Sequence, residues 1–504
     1  MLQTLKNAWN TKDIRDKLLF TLFILMLYRV GTVIPVPFVE ANNFASTLDG
    51  TILDYMDTLS GGSLGAMTLF ALGVQPYINA SIIIQLLAVV FPKLGELAKS
   101  DKKAMGYITR IVTVVLAIVT AVGYYFLLKA GNNGVEFLTK PALEGPLSWL
   151  YAIVIIACYT AGASLVMWLA ERINEKGIGN GVSVILFANI IASVPSFIKN
   201  LAEFVINTYS YPDKAWMYAI ISTVFALVLV AGLLALIAFV IFVTGSERRI
   251  PVQYAKKVVG RKMYGGQSSN LPIKLNMTGV MPVIFASSIV SFIPTVMQIL
   301  FNANLISYYK LDDAGKIVYD EGVAVVSGWG TFSDIIGSNG ALYPIALFLL
   351  IIGFAYFYTQ ITFDPIEVAN NLKKQGGAIP GIRQGRPTAD YIRKILNKIT
   401  LAGALFLGII AAIPIILGPH VLQHFFEWVV RAGVSEDMLY LGDYLFVNNT
   451  LMSLDEYVSN SASGLTSIFS FGGTTLLIVV GVANELYREL EAQLTMRNYK
   501  GFLN

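Results

Sequence analysis

The sequence predicts an all-α polytopic membrane protein, and three observations carry that prediction. Of its 504 residues, 55% are hydrophobic and 13% charged, against about 25% charged in soluble domains. Ten apolar segments can be drawn, at 18–36, 74–92, 109–128, 148–170, 182–200, 217–244, 277–299, 342–362, 399–417 and 470–487. Each approaches the roughly 20 residues that cross a bilayer as a helix. Lys and Arg are also unevenly divided among the connections, and that division orients the chain.

An even number of spans puts both termini on one side. The N-terminus, 93–110, 171–181, 245–275, 363–398 and the C-terminus hold 28 of the 36 Lys and Arg; the opposite connections hold 7, and Arg29 lies inside the first span. Because basic residues stay on the cytoplasmic side, both termini are expected there. The N-terminal run "TLKNAWNTKDIRDKLLF" reads as a charged amphipathic lead-in on the inner surface rather than a cleavable signal peptide, since no small-residue cleavage site follows. Pro35 and Pro37 stop the first span. Arg29, in its outer half, either snorkels to the interface or faces an internal cavity.

The next stretch, 60–90, organises the rest. Gly61 and Gly62 are read as opening a short helical piece over 63–72, too short to cross, and Gly73 and Pro76 as interrupting it before a full span begins near Tyr77. Non-helical backbone at membrane depth survives only inside protein or beside a water-filled cavity. The half-helix therefore predicts a cavity, hence transport; a re-entrant loop that merely packs is the competing reading. Ile78 and Ile82, four apart, share a helix face. That face either borders the cavity as a hydrophobic constriction or meets lipid.

Two cytoplasmic loops are basic and long. The first, 244–276, alternates apolar and polar residues around 250–259 like a short hairpin; the second, 364–396, has the Gly/Pro-rich tip "GGAIPGIRQGRP". Ordered polar tips beyond the membrane suit a docking partner, with anionic headgroups as the competing target. The outer connections 300–341 and 418–469 are acidic and rich in Tyr and Gly, and no chemistry is apparent in them.

Enzymatic chemistry finds no support. There is no phosphate-binding loop, no zinc-protease motif and no nucleophile elbow. "KGIGNGV" at 176–182 follows a span, not a strand, and reads as a tight turn. The single cysteine, Cys158, excludes an internal disulfide. His420 and His424 stand i,i+4, a spacing that suits a metal, but no cysteine accompanies them, and an amphipathic loop helix is preferred to a metal site. No cofactor is expected. Few carboxylates lie inside spans, so ion coupling is unsupported and energy for transport must come from outside the chain. The polar residues within spans, among them Gln75, Asn79, Ser81, Gln85, Asn189, Ser287, Ser288 and Thr295, suit interhelical hydrogen bonds.

In order along the chain, "FALGVQPYINASIIIQLL", "GIGNGVSVILFANI", "ERRIPVQYAKK", "QSSNLPIKLNMTGVMPVIFASS", "NLKKQGGAIPGIRQGRPTADYI" and "FGGTTLLIVVGVANE" resemble the bacterial SecY family, whose members form the central channel of the Sec protein translocon. The resemblance covers most of the chain, from the first span to the tenth. It implies ten transmembrane helices in two pseudo-symmetric five-helix halves, 1–200 and 201–504, around an hourglass pore closed outside by a short re-entrant plug helix at about 60–72. By motif, the pore ring falls on Ile78, Ile82, Val182, Leu186, Ile284 and Ile478. The plug falls on Ser63, Leu64, Gly65, Ala66, Met67, Thr68, Leu69 and Phe70, and a lateral gate on spans carrying Gln85, Ser287 and Ser288. The resemblance further implies that the basic loops dock the SecA motor ATPase and the ribosome through Arg248, Arg249, Lys256, Lys257 and Arg383. SecE and SecG are the implied small membrane subunits, and polypeptides bearing signal sequences the clients, passed across the cytoplasmic (inner) membrane or released sideways into the phospholipid bilayer. The outer connections 300–341 and 418–469 are longer than this family's pattern leads one to expect. A secondary solute transporter of inverted repeats is the alternative, but it should carry a charged or polar midplane site, and the aliphatic ring argues against one.

Overall fold

A computed structural model of the chain describes residues 2–40, 44, 52–131, 137–144, 146–209, 215–254, 257–259, 262–264, 268–302, 305–310, 318–320, 323–337, 340, 342–417, 444–447, 450–453 and 473–500. Each of the ten apolar segments falls largely on a helix. The first two helices are α1 (Leu2–Asn10) and α2 (Lys12–Gly31), followed by the short α3 (Ile52–Ser60). After a buried non-helical stretch come α4 (Gln75–Val90), α5 (Pro92–Ser100), α6 (Lys102–Ala130), α7 (Lys140–Glu144), α8 (Ser148–Lys176), α9 (Gly181–Tyr209) and α10 (Ala215–Gly245). The remaining helices are α11 (Met281–Asn302), α12 (Gly328–Ile336), α13 (Leu342–Thr362), α14 (Pro365–Lys374), α15 (Arg386–Leu417) and α16 (Gly473–Lys500).

Among the described residues, seven helices (α6, α8, α9, α10, α11, α13 and α15) are long and apolar enough to cross a membrane. An eighth crossing arises if α4 and α5, bent by 117°, count as one. The bend has a local cause: Pro92 lacks an N–H, and its ring drives Phe91 into extended backbone (φ −103°, ψ 106°). The two other expected spans fall short by charge. α2 begins with Lys12, Asp13, Arg15, Asp16 and Lys17, while α16 carries Glu485, Arg488 and Glu489 along its later turns.

Helix starts are chemically marked. Asp101 accepts from the backbone N–H of Lys103 and Ala104 to begin α6, and Asp364 from Ile366 N–H to begin α14. These side chains satisfy donors that a helix leaves open at its first turn. The helices share one continuous apolar core drawn from both halves of the sequence. α1 does not float at the surface as a lone amphipathic segment. It packs against α2 and α16, with Ala8, Ile14, Ile178 and Leu490 forming a small buried cluster and Thr4 bonded to Tyr487 at 3.2 Å.

The two basic loops fold together. β1 (Glu247–Tyr254) pairs antiparallel with β4 (Ser268–Lys274) and, on its other edge, with the two-residue β5 (Gly377–Ala378), giving the order β4-β1-β5. The hairpin expected over 250–259 is thus wider: β1 turns back through β2 (Lys257–Val259) and β3 (Lys262–Tyr264), which pair with each other at its tip. Alternation along β1 buries Ile250 and Val252 and leaves Arg249 and Gln253 in solvent. Beneath the sheet, Ile250, Val252 and Ile273 pack on Leu372, Ile379 and Ile392, so this unit has its own apolar core.

Candidate functional site: an aliphatic ring under a hydrogen-bonded helix

The stretch expected to be a half-helix over 63–72 is not helical. The helix precedes it, as α3, and Gly61 and Gly62 end that helix rather than opening another. Both have positive φ (73° and 81°), the left-handed backbone that stops a helix and that glycine adopts at least cost. Beyond them the backbone runs through a chain of tight turns: Ala66 N–H bonds to Gly62 O, Thr68 N–H to Ser63 O, and Gly73 N–H to Phe70 O. Leu69 N–H reaches Ile34 O at 2.9 Å and Val36 N–H reaches Met67 O at 3.2 Å. These bonds let irregular backbone lie inside the protein at membrane depth. Ser63, Leu64, Gly65, Met67, Thr68 and Phe70 are buried, Leu69 is half-buried, and Ala66 is exposed. Space is tight enough that a Cβ on Gly162 of α8 would clash with the Leu69 carbonyl oxygen.

α3 is held at its C-terminal end by side chains from α2 and α9. Asn189 donates through Nδ2 to Leu59 O (2.8 Å) and to the Tyr28 hydroxyl (2.9 Å), and Tyr28 in turn donates to Ser60 O (3.4 Å). Arg29 donates to Gly61 O at 3.4 Å and to Ala188 O at 2.9 Å. Arg29 therefore turns inward, resolving the choice between snorkelling and a cavity-facing role; its charge sits where the helix dipole is negative. Asp57 accepts from Gly65 N–H at 2.7 Å, tying α3 to the turns after it. The latch is not saturated. Asn189 Oδ1 is buried without a partner, and bonds of 3.4 Å are weak. An unpaired buried acceptor costs about 1–3 kcal/mol, which limits how firmly α3 is held.

The expected aliphatic set lies in the same apolar core. Ile78 and Ile82 come from α4, Val182 and Leu186 from α9, Ile284 from α11 and Ile478 from α16. Five of the six are 3% exposed or less, and Val182 packs against them at the edge of the same cluster. α4 packs on α11, α9 on α16 and α11 on α16, while α3 packs on α9 and α11. A small cavity is lined by Met56 and Leu59 of α3, by Gln75 and by Leu186. The Gln75 amide has no protein partner there.

The expected gate residues lie where α4 and α6 meet α11, but their polar atoms are satisfied locally. Gln85 Nε2 donates to Ser81 on its own helix at 2.9 Å, and Ser287 donates to Ile284 O at 3.0 Å; Ser288 is buried. Gln85 also lines a cleft of about 1210 Å³ between α4–α6 and α13–α15, together with Thr359, Asp364, Glu367, Arg393 and Asn397. Arg248, Arg249 and Arg383 are exposed on the folded unit of the two basic loops, with Arg249 paired to Glu247 at 2.7 Å. Lys257 lies in β2. Lys256, His420 and His424 lie outside the described residues. Sequence reasoning missed the latch role of Tyr28, Asp57 and Asn189; the available signal was an Asn within the apolar run "LFANII".

A family model described as SecY matches residues 68–434. The chain belongs to the SecY family. It is 38% identical over the full length of both chains to the protein translocase subunit SecY of Streptomyces galbus, and 37% identical, again over the full length of both, to that of Mycobacterium tuberculosis. Its fold is that of a solved protein-conducting channel, at TM-score 0.54 and 18% identity over 95% of this chain and 92% of that one. A SecY structure whose plug domain stabilises the closed state and maintains a membrane seal matches at TM-score 0.53 and 17% identity, with the same coverage of both chains. Sec61 from a canine ribosome–channel complex matches at 0.51 and 17%, again with that coverage. Membership makes the chain a multi-pass membrane protein.

Proposed function

We propose that this chain is a protein-conducting channel that passes unfolded polypeptides across the cytoplasmic membrane and releases apolar segments sideways into lipid. The observation that carries the reading is the aliphatic ring itself: six branched apolar side chains from four helices, capped by a helix that is bonded but not locked. Branched aliphatic groups close around any sequence because they need no hydrogen bonds from it, and when closed they exclude ions by dewetting. Ile78, Ile82, Val182, Leu186, Ile284 and Ile478 form the ring. α3 together with 61–74, including the residues Ser63 to Phe70, forms the plug. The front opening lies between α4/α6 and α11/α13, with Gln85, Ser287 and Ser288 on its rim.

The chain crosses ten times in two halves, 1–200 and 201–504, with both termini cytoplasmic. Burial of α1 against α16 supports a common side for the termini. The sheet joining the two basic loops is the docking platform, with Arg248, Arg249, Lys256, Lys257 and Arg383 facing the SecA motor or the ribosome. SecE and SecG are its membrane subunits. No part of the ring or plug requires a bond to be made or broken, so the chain conducts without catalysis, driven by its partners. The test is reconstitution: vesicles holding the chain with SecE, SecG and SecA should take up a signal-bearing precursor in an ATP-dependent, protease-protected form. Uptake that is unchanged when Ile78, Ile82, Ile284 and Ile478 are all replaced by Asp would contradict the assignment.

A further inference from the structure

The outer connection 300–341 contains a helix whose two faces differ. α12 is capped by Ser327, which accepts from Gly330 N–H at 3.1 Å. The same hydroxyl donates to Ser307 O at 2.6 Å, and Ser327 N–H donates to Tyr308 O at 2.8 Å. One turn on, Asp334 accepts from the Tyr308 hydroxyl at 2.9 Å. Gly330 is buried so closely that a Cβ there would clash with the Tyr308 carbonyl oxygen. One face of α12 is thus sewn to residues 307–308, and its one charged side chain is engaged.

The other face carries Trp329, Phe332 and Ile335, which are 56%, 43% and 45% exposed. Trp329 and Phe332 meet edge to face at 6.5 Å. Leu305, 71% exposed, lies just after α11. A nine-residue helix with no lysine or arginine, ordered by its own hydrogen bonds, holds three large apolar groups outward. Isolated exposed apolar residues are ordinary, but a contiguous set marks a contact surface.

We infer that the outward face of α12 lies in the outer interface of the lipid bilayer, with Trp329, Phe332 and Ile335 inserted below the headgroups. Continuity commits the face to lipid rather than to a protein. α12 packs on both α11 and α13, and both of those helices carry exposed apolar side chains of their own, Leu342, Ile345 and Leu349 on α13 and Phe292 and Ile293 on α11. Those two helices are long and apolar enough to cross the membrane. Trp and Tyr favour the interface because one end of each ring is apolar and the other polar. Such a helix buries its apolar face about 5–10 Å below the headgroup boundary. The Tyr308–Asp334 bond ties α12 to residues 307–308, and burial with the Asp334 carboxylate holds the Tyr308 phenol up at about 12. The extended connection is then an interfacial anchor beside α11 and α13.

The test uses the full chain in phosphatidylcholine–phosphatidylglycerol vesicles, with Trp9, Trp149, Trp168, Trp216 and Trp428 replaced by Phe so that Trp329 alone reports. Lipids brominated near the headgroup end of the acyl chain should quench its fluorescence more than lipids brominated near the chain terminus, and aqueous iodide should quench little. Iodide quenching without bromolipid quenching overturns the inference, because the face then meets water or a soluble partner. Quenching by neither overturns it too, because protein then covers the face. If the single-Trp chain fails to fold, F332C in a C158S background, carrying a nitroxide, gives the same decision: greater accessibility to oxygen than to a soluble nickel complex is expected, and the reverse contradicts the inference.

Discussion

On the proposed reading, two layers close this protein and work by opposite physics. The ring is built from Ile78, Ile82, Val182, Leu186, Ile284 and Ile478, whose contacts have no direction. The layer above it, α3 with 61–74, is held by directed bonds: Asn189 to Leu59 O, Tyr28 to Ser60 O, Arg29 to Gly61 O and Asp57 to Gly65 N–H. A directed seal must be broken before anything passes, and it breaks at particular atoms. An apolar ring gives way and re-forms around whatever fills it. The lesson is a division of labour, in which the latch sets whether the channel opens and the ring sets what leaks while it is open.

The largest expected disturbance of the seal comes from crowding the stretch between the layers. Gly162→Val drives a side chain into the Leu69 carbonyl, and overpacking of this kind costs about 1–3 kcal/mol or more. Thermal unfolding in detergent should show a clear loss of stability, and the surviving protein should conduct ions at rest. Asn189→Ala comes next. It strands the Leu59 carbonyl, a loss of about 1–3 kcal/mol. If that loss falls on the closed state alone, the open fraction in single-channel records rises roughly 5- to 150-fold.

Ile82→Ala should do less to the seal while doing more to packing. A truncated core isoleucine costs about 2–5 kcal/mol, yet five aliphatic neighbours and the plug remain, so resting leak should stay near that of the intact protein. Leak should appear when Ile82→Ala is combined with Asn189→Ala. If Ile82→Ala alone leaks as much as Asn189→Ala, the division of labour fails. Arg249→Ala marks the lower end. Its pair with Glu247 is exposed, so stability should move by no more than about 0.5 kcal/mol and resting conductance not at all, while SecA- or ribosome-dependent transport falls.

Much of this was legible in the residues. Hydropathy located ten segments that lie largely on helices, and the basic connections marked the two loops that fold together. The four helices that carry the proposed ring were recognisable through their motifs. The plug was legible only as a break. Gly61 and Gly62 can start or stop a helix, and "SLGAMTLFAL" is apolar enough to suit one. The deciding contacts are tertiary: the donors of 66–73 find turn carbonyls, and Leu69 reaches Ile34, which hydropathy does not encode. The β1–β5 pairing was hidden because β5 is two residues long and lies far along the chain. Arg29 looked like a snorkelling residue because its partners are backbone carbonyls, which leave no mark in a sequence.

Closure of the pore by α3 is the point on which the rest depends. Planar-bilayer conductance of the purified chain with its small membrane subunits should be compared with that of a variant lacking 52–60. A silent intact channel and an ion-conducting deletion are the expected pair. Silence from both, with the deletion variant still folded, would contradict the claim that α3 closes the pore, and steady current through the intact chain would contradict the claim that the two layers seal.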